Sequence, residues 1–171
     1  MERRAGFTLI ELLVTISIIA ILLTLTVVNL RGNQASARDE KRKTDISVIA
    51  QQLEAYYTSG STGTAPGGGA YTPGEYPPTA FTNTEAFVKA TLRDIDVKVL
   101  RAPDVSEASA MSFAVAPSAA APTPTASQYI YQPLKADGSL CQLASDECRK
   151  FTLFYKLETV TPTQTVVSKN Q

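Results

Sequence analysis

The sequence predicts an α+β protein: a long N-terminal helix whose second half packs on a small antiparallel β-sheet. Three observations carry this reading. From Phe7 to Leu30 the chain holds a single charge, Glu11, in an otherwise uncharged and largely apolar run. Beyond it, Ile46, Ile49, Leu53 and Tyr56 recur at three- and four-residue steps, which lays one apolar stripe along a helix. Near the C-terminus, Lys150–Glu158 alternates with period two and is rich in aromatic and β-branched residues, the pattern of a strand.

The first element is a candidate membrane span. Phe7–Leu30 is 24 residues, and at ~1.5 Å per residue such a helix covers ~36 Å, against a hydrocarbon core of ~30 Å. Arg3 and Arg4 precede it, which favours a cytoplasmic N-terminus. A secretory signal peptide would be shorter, although Ala35-Ser36-Ala37 offers a small-residue cleavage site. A plain signal anchor fits the length but leaves Glu11 unexplained, since an acid at mid-bilayer costs ~2.5–3.5 kcal/mol. A carboxylate in that setting needs a partner.

No proline occurs before Pro66, so one helix is expected from about Phe7 to Tyr57, with Gly60 ending it. Asp39 and Lys43 are spaced i,i+4 and are expected to pair on an exposed face. Residues 58–80 and 114–127 are poor in charge and rich in Gly, Pro, Ser, Thr and Ala, and read as surface loops. Gly67-Gly68-Gly69 lacks the Lys-Ser/Thr and helix of a phosphate cradle and reads as flexible loop. The Ser/Thr content of 114–127 is compatible with O-glycans by composition alone. Residues 85–93 suggest a short helix with Phe87 and Leu92 inward.

The tail turns to strands. Tyr129–Tyr131 is one; Lys150–Glu158 is a second, with Phe151, Leu153, Tyr155 and Leu157 on one face and Thr152, Phe154, Lys156 and Glu158 on the other. Asp137-Gly138 signals a turn, Pro162 ends the second strand, and Val166-Val167 suggests a last edge strand. Cys141 and Cys148 enclose six residues. They read as a disulfide if this side of the span faces an oxidising space, and as free thiols otherwise. Asp137, Asp146 and Glu147 show no recognisable calcium spacing and read as solvated turn acids.

Composition narrows the chemistry. The 16 basic and 16 acidic residues cancel, so no overall field points to nucleic acid. The chain has no His, two Cys and no nucleophile motif. The sequence therefore predicts no enzyme, no metal site and no cofactor.

The stretch Arg4-Ala5-Gly6-Phe7-Thr8-Leu9-Ile10-Glu11 resembles the class III signal of type IV pilins and of the pseudopilins of type II secretion. Asp45-Ile46, Leu53–Tyr57 and Tyr76-Pro77 extend the likeness, and the expected head is similar to the pilin fold, often closed by a C-terminal disulfide loop. The resemblance implies cleavage after Gly6 by a prepilin peptidase and methylation of the new N-terminus at Phe7. It also implies an assembly contact between Glu11 and the Phe7 amine of a neighbouring subunit. Implied partners are identical or related subunits, the peptidase/methyltransferase, a membrane platform protein and an assembly ATPase.

On this reading residues 1–6 are a leader, 7–30 the transmembrane polymerisation helix, 31–59 its amphipathic extension and 60–171 the head. The expected product is a type IV pilus subunit, membrane-inserted before assembly and extracellular afterwards. A type II secretion pseudopilin is the alternative within the family, and a monomeric signal-anchored binding domain is the alternative outside it. One departure stands out: many family members carry a proline within the span, and this chain has none from Met1 to Ala65.

Overall fold

The computed structural model describes residues 8–60, 73–79, 92, 95–105, 113–143 and 145–170, with the side chains of residues 26–31 and 113 outside that description. The predicted helix at 85–93 and the glycine run at 67–69 lie outside the described residues, apart from Leu92, which is buried. The chain forms two compact units, Met1–Ala37 and Arg38–Gln171.

Helix α1 runs Leu9–Ser59 without interruption, passing through Gly32 and Asn33. It ends where Gly60 turns left-handed (φ 64°) and donates its N–H to the Tyr56 carbonyl at 2.7 Å. Glycine meets no Cβ penalty there, which is why the helix stops at that residue.

Among the described residues of the second unit, four strands follow: β1 (Phe113–Val115), β2 (Tyr129–Leu134), β3 (Lys150–Tyr155) and β4 (Gln164–Val167), ordered β1-β2-β3-β4. A 3-10 turn, Val97–Leu100, precedes them, capped by the Asp96 carboxylate on the Lys98 N–H. β2, β3 and β4 pair antiparallel as expected, but β1 pairs parallel to β2. The sheet is therefore mixed rather than antiparallel.

The reason lies in the stretch read as a loop. A parallel pair needs a crossover connection, not a hairpin, and residues 116–128 supply it. That segment is fixed in place. Gln132, buried on the sheet, donates from its Nε2 to the carbonyls of Ser118 (2.9 Å) and Ala120 (3.0 Å). Arg42 donates from its Nε to the Ala126 carbonyl at 2.7 Å.

The two faces of the sheet bury different groups. Tyr131, Leu153 and Val166 stand opposite one another across three strands. With Tyr129, Phe151 and Tyr155 they pack against the Ile46, Ile49, Leu53 and Tyr56 stripe of α1. The opposite face carries Ile130 and Phe154, which form a smaller cluster with Ala116, Ala114 and Leu140. Phe154 lies on the predicted face, yet it is buried, because the sheet has a second core there. β3 stops at Tyr155; Leu157, beyond it, remains buried in the main core.

Candidate functional site

The first candidate site is the N-terminal turn of α1. Gly6 and Phe7, predicted to flank the cleavage point, lie outside the described residues. Glu11 is in the first helical turn and forms a reciprocal pair with Thr8. The Thr8 N–H and hydroxyl both donate to Glu11 Oε2, at 2.9 and 2.7 Å, and the Glu11 N–H points back to Thr8 Oγ1 at 3.3 Å. This is a capping box, Thr-x-x-Glu, in which a side-chain pair satisfies donors that an N-terminal turn otherwise leaves open. Its signal in the sequence is the Thr8-Leu9-Ile10-Glu11 spacing itself, a hydroxyl followed three residues later by a glutamate ahead of an apolar run.

After this polar turn every described side chain from Leu12 to Leu25 is exposed, including Leu12, Leu13, Ile16, Ile18, Ile19, Ile21, Leu22, Leu23 and Leu25. Exposure of so many large apolar groups on all sides of a helix marks a surface that meets lipid or other protein. The interspersed hydroxyls do not disturb that surface. Thr15, Ser17 and Thr24 donate to the carbonyls of Leu12, Leu13 and Ile21 at 2.7–2.8 Å, so their protons are satisfied within the helix. Among the described residues, no helix is long and apolar enough to cross a membrane. Of the predicted span Phe7–Leu30, Phe7 and the side chains of residues 26–30 lie outside that description.

The second candidate feature is a set of buried charges early in the Arg38–Gln171 unit. Asp39 does not pair with Lys43 on an exposed face, as predicted. Asp39 is 2% exposed, and Lys43 bonds Glu40 instead. The Asp39 carboxylate accepts the Glu158 N–H, the Thr159 N–H and hydroxyl, and an Arg42 guanidinium N–H, at 2.6–2.9 Å. Burial pushes its pKa up, but these donors outweigh burial and hold it at about 2.

Arg42, 1% exposed, also meets Glu158 Oε1 at 2.6 Å, and Arg38 Nε bonds the same carboxylate at 2.9 Å. Arg38 above all, with Arg42 assisting, holds Glu158 at about 2 against its partial burial. The arrangement fastens the 157–159 segment to α1. The i,i+4 spacing does not decide the pairing, because the tertiary fold brings Asp39 four donors from Arg42, Glu158 and Thr159 while Lys43 donates to Glu40.

Three further contacts fix the same unit. Asp45, buried, accepts Lys41 Nζ at 2.9 Å and the Tyr129 hydroxyl at 3.1 Å, and burial raises its pKa. Glu54 accepts the Lys169 N–H at 2.8 Å, the Asn170 side-chain amide at 2.8 Å and the Tyr76 hydroxyl at 3.0 Å, tying the C-terminal residues to α1. Cys141 and Cys148 form a disulfide with Cα atoms 5.6 Å apart, and both are fully buried. Their carbonyls accept the Thr79 and Tyr76 N–H groups, so the bridged loop is also stitched to 76–79.

The acids of that loop are locally engaged. Asp146 accepts the Gln142 and Leu143 N–H groups at 2.9 Å and pairs with Lys135 at 2.8 Å, which holds it at about 2. Asp137 accepts the Ser139 N–H and hydroxyl, and Glu147 pairs with Arg149. Among the described residues, no group of three or more His, Cys, Asp or Glu is gathered to hold a metal ion.

Comparison with known proteins adds the following. Residues 1–27 match the family model of the prokaryotic N-terminal methylation motif. Over 57 residues the chain is 46% identical to the type II secretion system core protein G of Dickeya chrysanthemi. The proteins of the same description from Aeromonas hydrophila and Escherichia coli K12 are 43% and 40% identical over 55 residues. These alignments take in 32–33% of this chain and 37–38% of the relatives, so the chain spans well under half the length of the curated proteins it matches. No solved structure matches. With a methylation motif at residues 1–27 and a long helix leading into a small sheet, the N-terminal segment of this chain is similar to that of the type IV pilins and pseudopilins.

Proposed function

We propose that the chain is a structural subunit of a pseudopilus-like filament of the type II secretion kind. It would be cleaved after Gly6, methylated at Phe7 and polymerised through the apolar part of α1. The observation that carries this reading is the 46% identity over 57 residues to a type II secretion core protein G, in the segment that holds the methylation motif. It shifts the emphasis from the pilus that the sequence alone favoured toward the pseudopilus. The all-round exposure of Leu12–Leu25 supports it, because such a surface is stable only in lipid or against neighbouring helices.

In this role Glu11 has two successive partners. Within the subunit it caps its own helix through Thr8. Cleavage creates an α-amine at Phe7, largely cationic at neutral pH with an ordinary pKa of ~8. A neighbouring Phe7 amine then offers Glu11 a charge-assisted bond in place of a neutral one, which sets the axial register between subunits. The membrane platform protein and assembly ATPase that such filaments use belong to this proposal, as does an N-terminus inside and a head outside the membrane.

The test is done in the cells that make the chain. The mature protein is expected to start at Phe7, and Gly6→Leu is expected to leave the uncut leader in the membrane. Glu11→Gln is expected to be cut normally and to vanish from the filament fraction. Wild-type filament yield from Glu11→Gln would remove Glu11 from its assembly role, and a mature chain starting at Met1 or Arg38 would overturn the proposal. Loss of protein secretion on deletion separates a pseudopilus from a surface pilus, which would instead be sheared off the cell.

A further inference from the structure

The crossover 116–128 holds more hydroxyls than its structural task requires. Its residues alternate in exposure. Pro122, Pro124, Ala126 and Gln128 are partly or fully buried, while Thr123, Thr125 and Ser127 are exposed. The segment is anchored at both ends by the Gln132 and Arg42 contacts to its carbonyls, so these hydroxyls are displayed on a fixed ridge. Thr125 and Ser127 share a hydrogen bond at 3.2 Å. The Thr123 hydroxyl has no hydrogen-bond partner among the described residues.

Thr123 lies between Pro122 and Pro124. The following proline biases it to extended backbone, and each ring fixes its own φ, so the side chain is presented with little conformational freedom to lose. No charge occurs from Ala108 to Leu134. A ridge of Ala, Pro, Ser and Thr without charge is the composition of segments that carry O-linked sugars. Here it is exposed and rigid, and the fold makes no use of the hydroxyl in question.

We propose that Thr123 is the acceptor of an O-linked saccharide. The donor class is a sugar activated as a diphosphate ester, brought by a glycosyltransferase. Thr123 Oγ1 attacks the anomeric carbon, a C–O glycosidic bond forms, the bond from that carbon to the diphosphate oxygen breaks with its electron pair, and the hydroxyl proton passes to a base of the transferase. Modification leaves the Gln132 and Arg42 anchors and the Thr125–Ser127 bond intact.

The experiment is mass spectrometry of the full chain isolated from the cells that make it. Trypsin releases residues 102–135 as one peptide, between Arg101 and Lys135. That peptide is expected to be heavier by one or more monosaccharide residues, to lose the excess on alkaline β-elimination, and to show it on Thr123 by electron-transfer fragmentation. Thr123→Val is expected to return the peptide to its bare mass and Thr123→Ser to keep the shift. A bare peptide from the native chain overturns the proposal, and so does a shift that persists in Thr123→Val. The mass is read on whichever cell fraction holds the chain, so the result does not depend on whether a filament forms.

Discussion

The two ends of helix α1 obey opposite rules. From Leu12 to Leu25 the side chains are apolar and exposed on every side, while the second stretch, from Asp39 to Tyr56, buries one stripe and even buries charges. The hydrogen bonding differs in the same sense. Among the described residues of the first stretch, polar side chains bond to the helix itself, through Thr8–Glu11 and the hydroxyl-to-carbonyl bonds of Thr15, Ser17 and Thr24. In the second they reach across more than 80 residues, from Arg42 to Ala126 and from Asp39 to Thr159. Helical backbone alone thus says nothing about what a segment packs against. The first stretch leaves its apolar surface exposed, and the second packs its stripe against the sheet.

Four predictions bear on that contrast. The largest effect is expected from Arg42→Met, which leaves the buried Asp39 and the Glu158 carboxylate short of their shared cation. Breaking a buried pair by removing one partner costs about 3–5 kcal/mol, to be read as a fall in denaturation midpoint of the full chain in detergent. A loss below about 1 kcal/mol would mean that the charges act as an exposed pair.

Next is Ile49→Ala against Ile18→Ala. Ile49 is 0% exposed and its truncation is expected to cost about 3 kcal/mol. Ile18 is 52% exposed, and its truncation is expected to change stability by less than about 0.5 kcal/mol while reducing filament yield. Equal losses of stability in the two variants would erase the distinction between the two stretches.

Replacing Cys141 and Cys148 by Ser opens an eight-residue ring and is expected to cost about 2 kcal/mol, by the loop-closure entropy returned to the unfolded chain. The same denaturation assay reads it, with the wild type under reducing conditions as the check.

The pH dependence comes last. Asp39 is held at about 2, below its ordinary value of 3.8, so the folded state binds this proton less readily than the unfolded one. Stability from Asp39 is fully present above the unfolded value and is lost as pH falls from about 4 to about 2, by about 2 kcal/mol. Glu158, held at about 2 from 4.5, adds in the same direction. Asp45, raised by burial, acts oppositely: its contribution falls as pH rises above the ordinary carboxylate value. Asp39→Asn is expected to reduce the acid-side slope by the Asp39 share and to leave the Glu158 share in place, measured by denaturation midpoint at successive pH values.

Several features were legible in the residues because local chemistry settles them. The stripe Ile46-Ile49-Leu53-Tyr56 needs only a 3.6-residue period, and all four positions are buried. Gly60 ends α1 because few other residues turn left-handed without strain, and Val166-Val167 falls within β4. The Thr8–Glu11 box is equally local, a Thr-x-x-Glu spacing that the chain shows directly. The fate of Asp39 was not legible. Its neighbours in sequence suggested Lys43, and its four donors come from Arg42 and from residues 158–159, far along the chain.

By itself, the sequence determined the long unbroken helix, its apolar first stretch, the family-like signal around Gly6-Phe7 and the alternating strand at Lys150–Tyr155. These follow from propensity, period and spacing, which act between near neighbours. Only the tertiary structure decided that β1 runs parallel to β2, that a Pro/Ala-rich loop is the crossover between them, and that a charged helix turn is buried. Each of those depends on where distant carbonyls and N–H groups come to rest, because a buried polar group is tolerable only when a partner reaches it. That condition is set by the assembled fold rather than by any short stretch of the chain.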